Sequence, residues 1–301
     1  MSPLLAALWP LFALILGGYT LRRAGFPSAA FWPGAERLNY FILFPALLFS
    51  SLAAAPLDNP ALGRVALCVG LVLGGGWLTL LLARRLFRWP AARFGVFVQS
   101  TLRFNTYIGL AMVGALFGEA GLTLMALLLA VSVPAVNMLS VHALTAEDGM
   151  ARGRFLLPVL KNPLIIACLM GILANLAGMD MAGGVDNLLS LLAASSLPLG
   201  LLCVGAALQP RELSGQTGAL VLSSLGRLLL MPLAAWLVVR LLAMPPMEST
   251  ILVLFFALPC APTAYVLARE LRGDAQLMAG AITLQTLLGM LTLPILLWLL
   301  G

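Results

Sequence analysis

The feature that most constrains this chain is a succession of long apolar stretches. A membrane-spanning helix needs about 20 predominantly apolar residues. Ten runs close to that length or longer can be bracketed along the 301 residues: 3–21, 38–55, 61–83, 94–117, 121–145, 158–177, 184–208, 216–243, 249–271 and 275–300. Because the connections are short, the pattern predicts an all-α polytopic membrane protein with ten transmembrane helices and no separate soluble domain.

Composition excludes the other classes of protein. Hydrophobic residues make up 62% of the chain and charged residues 9%, whereas a soluble domain is typically about 25% charged. The four cysteines lie inside apolar runs without a CxxC pair, which is typical of small packing residues. The basic residues are scattered at run ends rather than gathered in a patch, so no nucleic-acid partner is predicted.

The distribution of arginine and lysine sets the orientation in the membrane. If the loop after the first run is cytoplasmic and the sides then alternate, thirteen basic residues fall in cytoplasmic loops and only Arg64 and Arg240 on the other side. Such a bias is the positive-inside rule. It predicts a multi-pass protein with both termini on the periplasmic side. Sixteen of the 17 basic residues are arginine, a bias typical of a GC-rich genome, so we expect the inner membrane of a bacterium.

The two halves of the chain align weakly from end to end. Pro3 corresponds to Pro163, Pro45 to Pro198, Trp77 to Trp236, and 105–107 to 262–265, with offsets of 160, 153, 159 and 157 residues. Five helices per half is an odd number, so the second repeat must be inverted, an arrangement typical of secondary transporters. The predicted organisation is a first five-helix repeat over 1–145, a cytoplasmic linker at 146–157 and a second repeat over 158–301.

Two of the runs carry signals of a helix break. The ninth has Pro259 and Pro262 three residues apart, and each proline removes a backbone donor. The fourth has no proline but carries a polar cluster over 99–106. A break inside the membrane is costly unless the freed carbonyls line a cavity, so both runs are candidate site elements. The alternatives are an intact fourth helix with a polar face packed inside the bundle and a simple proline kink in the ninth.

Several motifs spread along the chain resemble the auxin efflux carrier family of transporters. They are Asn39-Tyr40-Phe41 with Pro45 and Leu48-Phe49, Asn105-Thr106-Tyr107-Ile108-Gly109, Phe117-Gly118-Glu119-Ala120-Gly121, Asn162-Pro163, Ala257-Leu258-Pro259, Ala268-Arg269 and Gly273-Asp274. The resemblance covers essentially the whole chain. It implies two inverted five-helix repeats like those of bile-acid/sodium symporters, with helices 4 and 9 broken and crossing, and a site beside the crossing.

The chain also departs from that family's pattern. Many relatives have a proline at or near the crossing in the fourth helix, where this chain has Ala111 and no proline. Many relatives have asparagine where this chain has Thr263. The expected fold is unaffected by either difference, but the family's substrates do not transfer to this chain.

Polar residues inside the runs are the candidate substrate ligands. A charge at the centre of a span costs about 2.5–3.5 kcal/mol on insertion scales, and Arg103 and Arg227 are the two charges placed near the centre of a run. Arginine suits a carboxylate through bidentate geometry, and helix N-termini at a break favour an anion. The predicted substrate-binding residues are Arg103, Asn105, Thr106, Tyr107, Pro259, Pro262, Thr263, Ser50 and Ser51, followed by Asn39, Asn137, Arg227 and Gln285.

The function that these features favour is secondary transport of small organic anions such as mono- or dicarboxylates, by export or facilitated transport driven by the membrane potential. All eleven acidic residues lie at span ends or in loops, which disfavours ion coupling. Backbone carbonyls could still bind sodium, so a cation-coupled symporter stays open. A sensor or scramblase on the same fold is the alternative from another class. With one histidine and no HExxH motif, neither an enzyme nor a metal or cofactor is expected. The sequence is compatible with a homodimer.

Overall fold

The computed structural model describes residues 3–54, 61–145, 162–179 and 184–300. The regular structure of these residues is entirely helical. The predicted linker at 146–157 lies outside the described residues, and the division into two sequence repeats stays a prediction.

Thirteen α-helices follow one another along the described chain. They are α1 (Pro3–Arg23), α2 (Phe31–Leu38), α3 (Phe44–Ala53), α4 (Ala61–Phe87), α5 (Ala91–Leu102), α6 (Thr106–Leu144), α7 (Pro163–Leu176), α8 (Val185–Ala206), α9 (Thr217–Leu225), α10 (Met231–Leu241), α11 (Pro246–Ala257), α12 (Thr263–Glu270) and α13 (Ala275–Leu300). Single π-helical turns at Asn39–Leu43 and Gly226–Leu230 join α2 to α3 and α9 to α10. A 3₁₀ turn, Pro210–Ser214, precedes α9.

Five helical stretches in the described residues are long and apolar enough to cross a membrane. They are Gly63–Phe87, Ala91–Leu144, Val185–Ala206, Thr217–Leu241 and Ala275–Leu300, and Pro163–Leu176 and Pro246–Ala257 are shorter apolar helices. Many large apolar side chains are exposed on them, among them Leu82, Leu241 and Trp298. Exposed apolar side chains in such number suit a lipid environment. The number ten for the spans stays a prediction.

The long helix α6 changes direction at Gly118. This residue has φ 60° and ψ −146°, outside the helical region, and glycine reaches a positive φ without the steric penalty of a Cβ atom. The boundary predicted between the fourth and fifth apolar runs falls at this residue. The Asn105 amide caps the start of α6 by accepting a hydrogen bond from the Ile108 N–H at 3.2 Å.

The described chain divides into two compact units that interleave along the sequence. The first unit draws on Met1–Asn59, Leu110–Val133 and Leu157–Ala207. In it α8 packs against α1 and α3, and α3 also packs against α7. The backbones of α1 and α8 approach closely, because a Cβ added to Gly205 would lie 1.7 Å from the Ile15 carbonyl oxygen.

The second unit draws on Pro60–Gly109, Pro134–Leu156 and Leu208–Gly301. Helix α11 lies in its interior, with every residue over 251–257 buried. Helix α13 packs against α5, α9, α11 and α12, and α4 packs against α5 and α10. All the contacts of the candidate site described next lie within this unit.

Candidate functional site

The fourth apolar run leaves the helical conformation at 103–105. Helix α5 ends at Leu102, and Arg103 is extended, with φ −76° and ψ 144°. Asn105, with φ −81° and ψ 99°, then caps the new helix α6. A side-chain cap replaces one of the backbone partners that a helix start lacks. The break therefore coincides with a capping asparagine, and no proline lies in the segment.

The ninth run is interrupted over 258–262. Helix α11 ends at Ala257, Leu258 is extended with ψ 138°, and α12 begins at Thr263. Pro259 and Pro262 have no N–H to continue the helical ladder. Both prolines are buried.

The two breaks lie side by side. The Asn105 backbone N–H donates to the Pro259 carbonyl oxygen at 2.8 Å. The rings of Phe104 and Phe255 pack with their centroids 4.4 Å apart. Four helix ends therefore meet here: the C-termini of α5 and α11, which carry partial negative charge, and the N-termini of α6 and α12, which carry partial positive charge.

Two buried side chains satisfy the helix ends on the carbonyl side. Arg227 donates from Nη1 to the Thr101 oxygen and from Nη2 to the Phe255 oxygen, each at 3.0 Å, and from Nε to the Leu258 oxygen. Gln285 donates to the Ser100 and Ser223 oxygens at 3.1 and 3.3 Å and accepts from the Cys260 N–H at 3.0 Å. Both were predicted as weaker substrate ligands, and in this structure their hydrogen bonds go to backbone and hold the break together.

Other polar groups lie on the N-terminal side of the break. The Arg103 side chain is partly buried and its Nη2 lies 3.4 Å from Thr263 Oγ1, the start of α12. Asn105 is fully buried. Its Oδ1 is taken by the Ile108 N–H, whereas its Nδ2 has no hydrogen-bond partner in the described part of the chain. The cap fixes which end of the amide is oxygen, so an N–H₂ donor is left without an acceptor.

The remaining predicted site residues are distributed over both units. Thr106 is partly buried and Tyr107 buried in the first turn of α6, within the second unit, and Asn137 lies partly buried farther along α6 in the same unit. Ser50 and Ser51 lie on α3 and Asn39 at the π-turn before it, all in the first unit. Asn39 exchanges two hydrogen bonds with Ser196, each of 3.0 Å, so both ends of its amide are engaged. The binding roles of these residues stay predictions.

The substrate ligands predicted from the sequence do not include Gln99, although it begins the polar cluster over 99–106. Gln99, in the last turn of α5, is fully buried, and neither amide atom has a hydrogen-bond partner among the described residues. Its backbone oxygen accepts from the Cys260 thiol, with Sγ and oxygen 3.4 Å apart. An unsatisfied buried amide is costly. The burial of this amide without a partner is seen only in the structure, because the sequence shows no more than a polar cluster.

Comparison with known proteins places these features in a family. The family described as Membrane transport protein matches residues 3–297, nearly the whole chain. The chain belongs to this membrane transport protein family. This is the auxin efflux carrier family that the motifs resemble, so that prediction is confirmed. The protein is accordingly a multi-pass membrane transporter.

A relative supports the same assignment. An uncharacterized transporter of Methanothermobacter thermautotrophicus is 26% identical over 294 residues, which are 94% of this chain and 93% of that protein. The alignment therefore runs through both broken segments and both predicted repeats.

Proposed function

We propose that this transporter is a secondary carrier for small organic anions, mono- or dicarboxylates, in the inner membrane of a bacterium. Its ten membrane spans form two inverted five-span repeats with both termini periplasmic, and the broken helices of the fourth and ninth runs cross beside the substrate. The binding site opens alternately to the two sides of the membrane and so moves the anion across. The family assignment supports the class of the protein, and the chemistry of the break supports the charge of its substrate.

The electrostatics of the break favour an anion. The N-termini of α6 and α12 carry partial positive charge, which favours an anion. Arg103 adds a full charge beside Thr263, at the start of α12. On the other side, the carbonyls that would attract a cation are already occupied by Arg227. A carboxylate is the ligand that complements the positive charge of Arg103 and of the two helix N-termini.

The observation that carries the proposal is the side-chain amide of Asn105. Its Nδ2 is a donor buried without a partner in the described chain, at the start of α6. Leaving such a donor unsatisfied costs about 1–3 kcal/mol. A bound carboxylate oxygen would supply the acceptor. Anion binding would remove this cost, which makes the binding free energy more favourable.

The membrane potential supplies a driving force for export. An inside-negative potential is worth about 2.3 kcal/mol per charge per 100 mV, which is roughly a 50-fold concentration gradient. A monoanion therefore leaves the cell downhill without a coupled ion.

A ligand-stability screen of the purified protein tests the proposal. Malonate, malate and acetate are added separately, and binding to the native state raises the melting temperature. Asn105→Asp is the decisive variant, because the aspartate oxygen keeps the cap on Ile108 while the donor is replaced by a negative charge. We expect its melting temperature without ligand to stay near wild type, since the N-terminus of α6 accommodates a carboxylate, and the response to carboxylates to disappear.

Asn105→Ala serves as the control for the cap. It removes both ends of the amide, so we expect a stability loss of about 1 kcal/mol together with a weaker ligand response. A wild-type protein that responds to no carboxylate, or an Asn105→Asp variant that responds like wild type, contradicts the proposal.

A further inference from the structure

The carbonyl side of the break is a site for positive charge. Helices α5 and α11 end at Leu102 and Ala257. Each helix end leaves carbonyl groups without helical donors and the equivalent of about half a negative charge. Two such ends meeting inside the membrane need a positive partner that the protein itself provides.

Arg227 is that partner. Its side chain is fully buried and gives one hydrogen bond to a carbonyl of α5 and two to carbonyls at the end of α11, Phe255 and Leu258. The π-turn Gly226–Leu230 carries it. The turn approaches α5 closely, because a Cβ added to Gly226 would lie 3.3 Å from Thr101 Oγ1. One guanidinium thereby collects oxygen atoms from two helix ends.

Carbonyl oxygens at helix ends also bind the coupling cation in other carriers. Unwound backbone carbonyls and the C-terminal ends of half-helices coordinate the coupling ion in transporters with broken helices. Here the oxygens are held by a covalently attached cation. We infer that Arg227 takes the place of a coupling Na⁺ ion, so that the transport step draws no metal cation from solution.

This inference rests on the proposed carrier function and specifies its energetics. A tethered charge stays with the protein in every cycle, so the net charge moved per cycle is that of the substrate alone. Gln285 completes the arrangement, because its amide takes the Ser100 oxygen at 3.1 Å and the Ser223 oxygen at 3.3 Å. A dissolved Na⁺ ion would have to displace charge-assisted hydrogen bonds, which are about twice as strong as neutral ones.

The test compares the melting temperature of the purified protein in NaCl, LiCl, KCl and N-methylglucamine chloride at equal ionic strength. Wild type should melt at the same temperature in all four. Arg227→Gln leaves these carbonyls without a charged donor, so the variant should melt roughly 5–10 °C lower than wild type in N-methylglucamine chloride. Na⁺ or Li⁺ should restore part of that loss, saturably with concentration. Arg227→Lys keeps the charge and should not respond to the cation.

Arg240→Gln is the matched control. Arg240 lies on α10, which continues the same apolar run, but it is exposed and its guanidinium lies over the Trp236 ring at 5.6 Å. Its replacement should leave the melting temperature insensitive to the choice of cation. A merely structural Arg227 predicts destabilisation without cation-specific recovery, and that result in Arg227→Gln overturns the inference.

Transport by wild type provides a second readout that does not depend on the folding of a variant. Malonate is loaded into proteoliposomes, and its efflux should be unchanged when N-methylglucamine replaces Na⁺ on both sides. Efflux that requires Na⁺, or a wild-type melting temperature raised specifically by Na⁺, overturns the inference. If wild type neither binds nor moves malonate or the other acids, the carrier proposal fails, whereas the melting series still decides whether Arg227 stands in for a cation.

Discussion

Two buried asparagines show that the hydrogen-bond partners of a side chain determine whether it can still bind a ligand. Asn39 exchanges two hydrogen bonds with Ser196, so its amide has both ends engaged between helices. Asn105 uses only its oxygen, which caps α6, and its Nδ2 is left without a partner in the described chain. Both residues are fully buried. The sequence makes both residues candidate substrate ligands, with Asn105 ranked above Asn39, and of the two only Asn105 retains a donor for a ligand.

Arg103 allows a test of charge at the level of a single side chain. Arg103→Lys keeps the charge but loses the planar fork, so we expect weaker but measurable stabilisation by malonate. Arg103→Gln removes the charge beside Thr263, and the response to malonate should be lost. The hydrogen bond from Arg103 to Thr263 Oγ1 is 3.4 Å long, and the melting temperature of each variant without ligand is the reference for its response to malonate. A strongly destabilised Arg103→Gln that still responds to malonate would show that the side chain serves folding instead.

At the scale of elements, the closest backbone contact of the first unit depends on glycine. Gly18 on α1 and Gly205 on α8 face the partner helix so closely that an added Cβ would lie 1.9 Å from the Leu202 oxygen and 1.7 Å from the Ile15 oxygen. Backbone atoms cannot rotate away as a side chain can. Small residues that let helix backbones approach are the common means of helix association in membranes.

Gly205→Ala should therefore separate α1 from α8. Forcing one methyl group into a packed contact costs about 1–3 kcal/mol, which corresponds to a melting temperature lower by roughly 2–10 °C. Gly70→Ala on α4 is the matched control, because a Cβ there has nothing within 4 Å, and alanine is the better helix former by up to about 1 kcal/mol. Thermal unfolding of both variants in one detergent checks the pair. Equal melting temperatures for the two would mean that α1 and α8 tolerate separation.

The broken elements also show how far the sequence reaches. Pro259 and Pro262 predict an interruption in the ninth run because a missing N–H is a local property, and the polar cluster around Asn105 does the same for the fourth. What closes the break is not local. Arg227 reaches Thr101 across 126 residues and Gln285 reaches Ser100 across 185. Apolar periodicity carries no information on such pairings. The sequence therefore predicts Arg227 and Gln285 as candidate ligands without their backbone partners, and it places Gln99 in the polar cluster without assigning it to the site.

At the scale of the whole molecule, packing and sequence symmetry divide the chain differently. The two compact units interleave, with α6 contributing to both, whereas the predicted repeats are consecutive. These divisions are compatible, because each predicted repeat contributes residues to both units. The second unit contains both breaks, Arg227 and Gln285, so all the groups that define charge at the break belong to one body.

The topology of the whole chain provides the test of the inverted repeat. Loops predicted to be cytoplasmic hold thirteen basic residues against two on the other side, and missing or inventing one span would scramble that bias. Ten spans return the chain to its starting side, and five per half invert the second repeat. Reporter fusions at residues 2 and 301 should therefore both read as periplasmic and a fusion at 150 as cytoplasmic. Fusions in two loops serve as internal controls: one at Arg88, between α4 and α5, should read as cytoplasmic, and one at Pro245, between α10 and α11, as periplasmic. If residue 301 reads as cytoplasmic while both controls hold, the number of spans after Pro245 differs by one from the prediction. Five helices per half can then no longer be maintained.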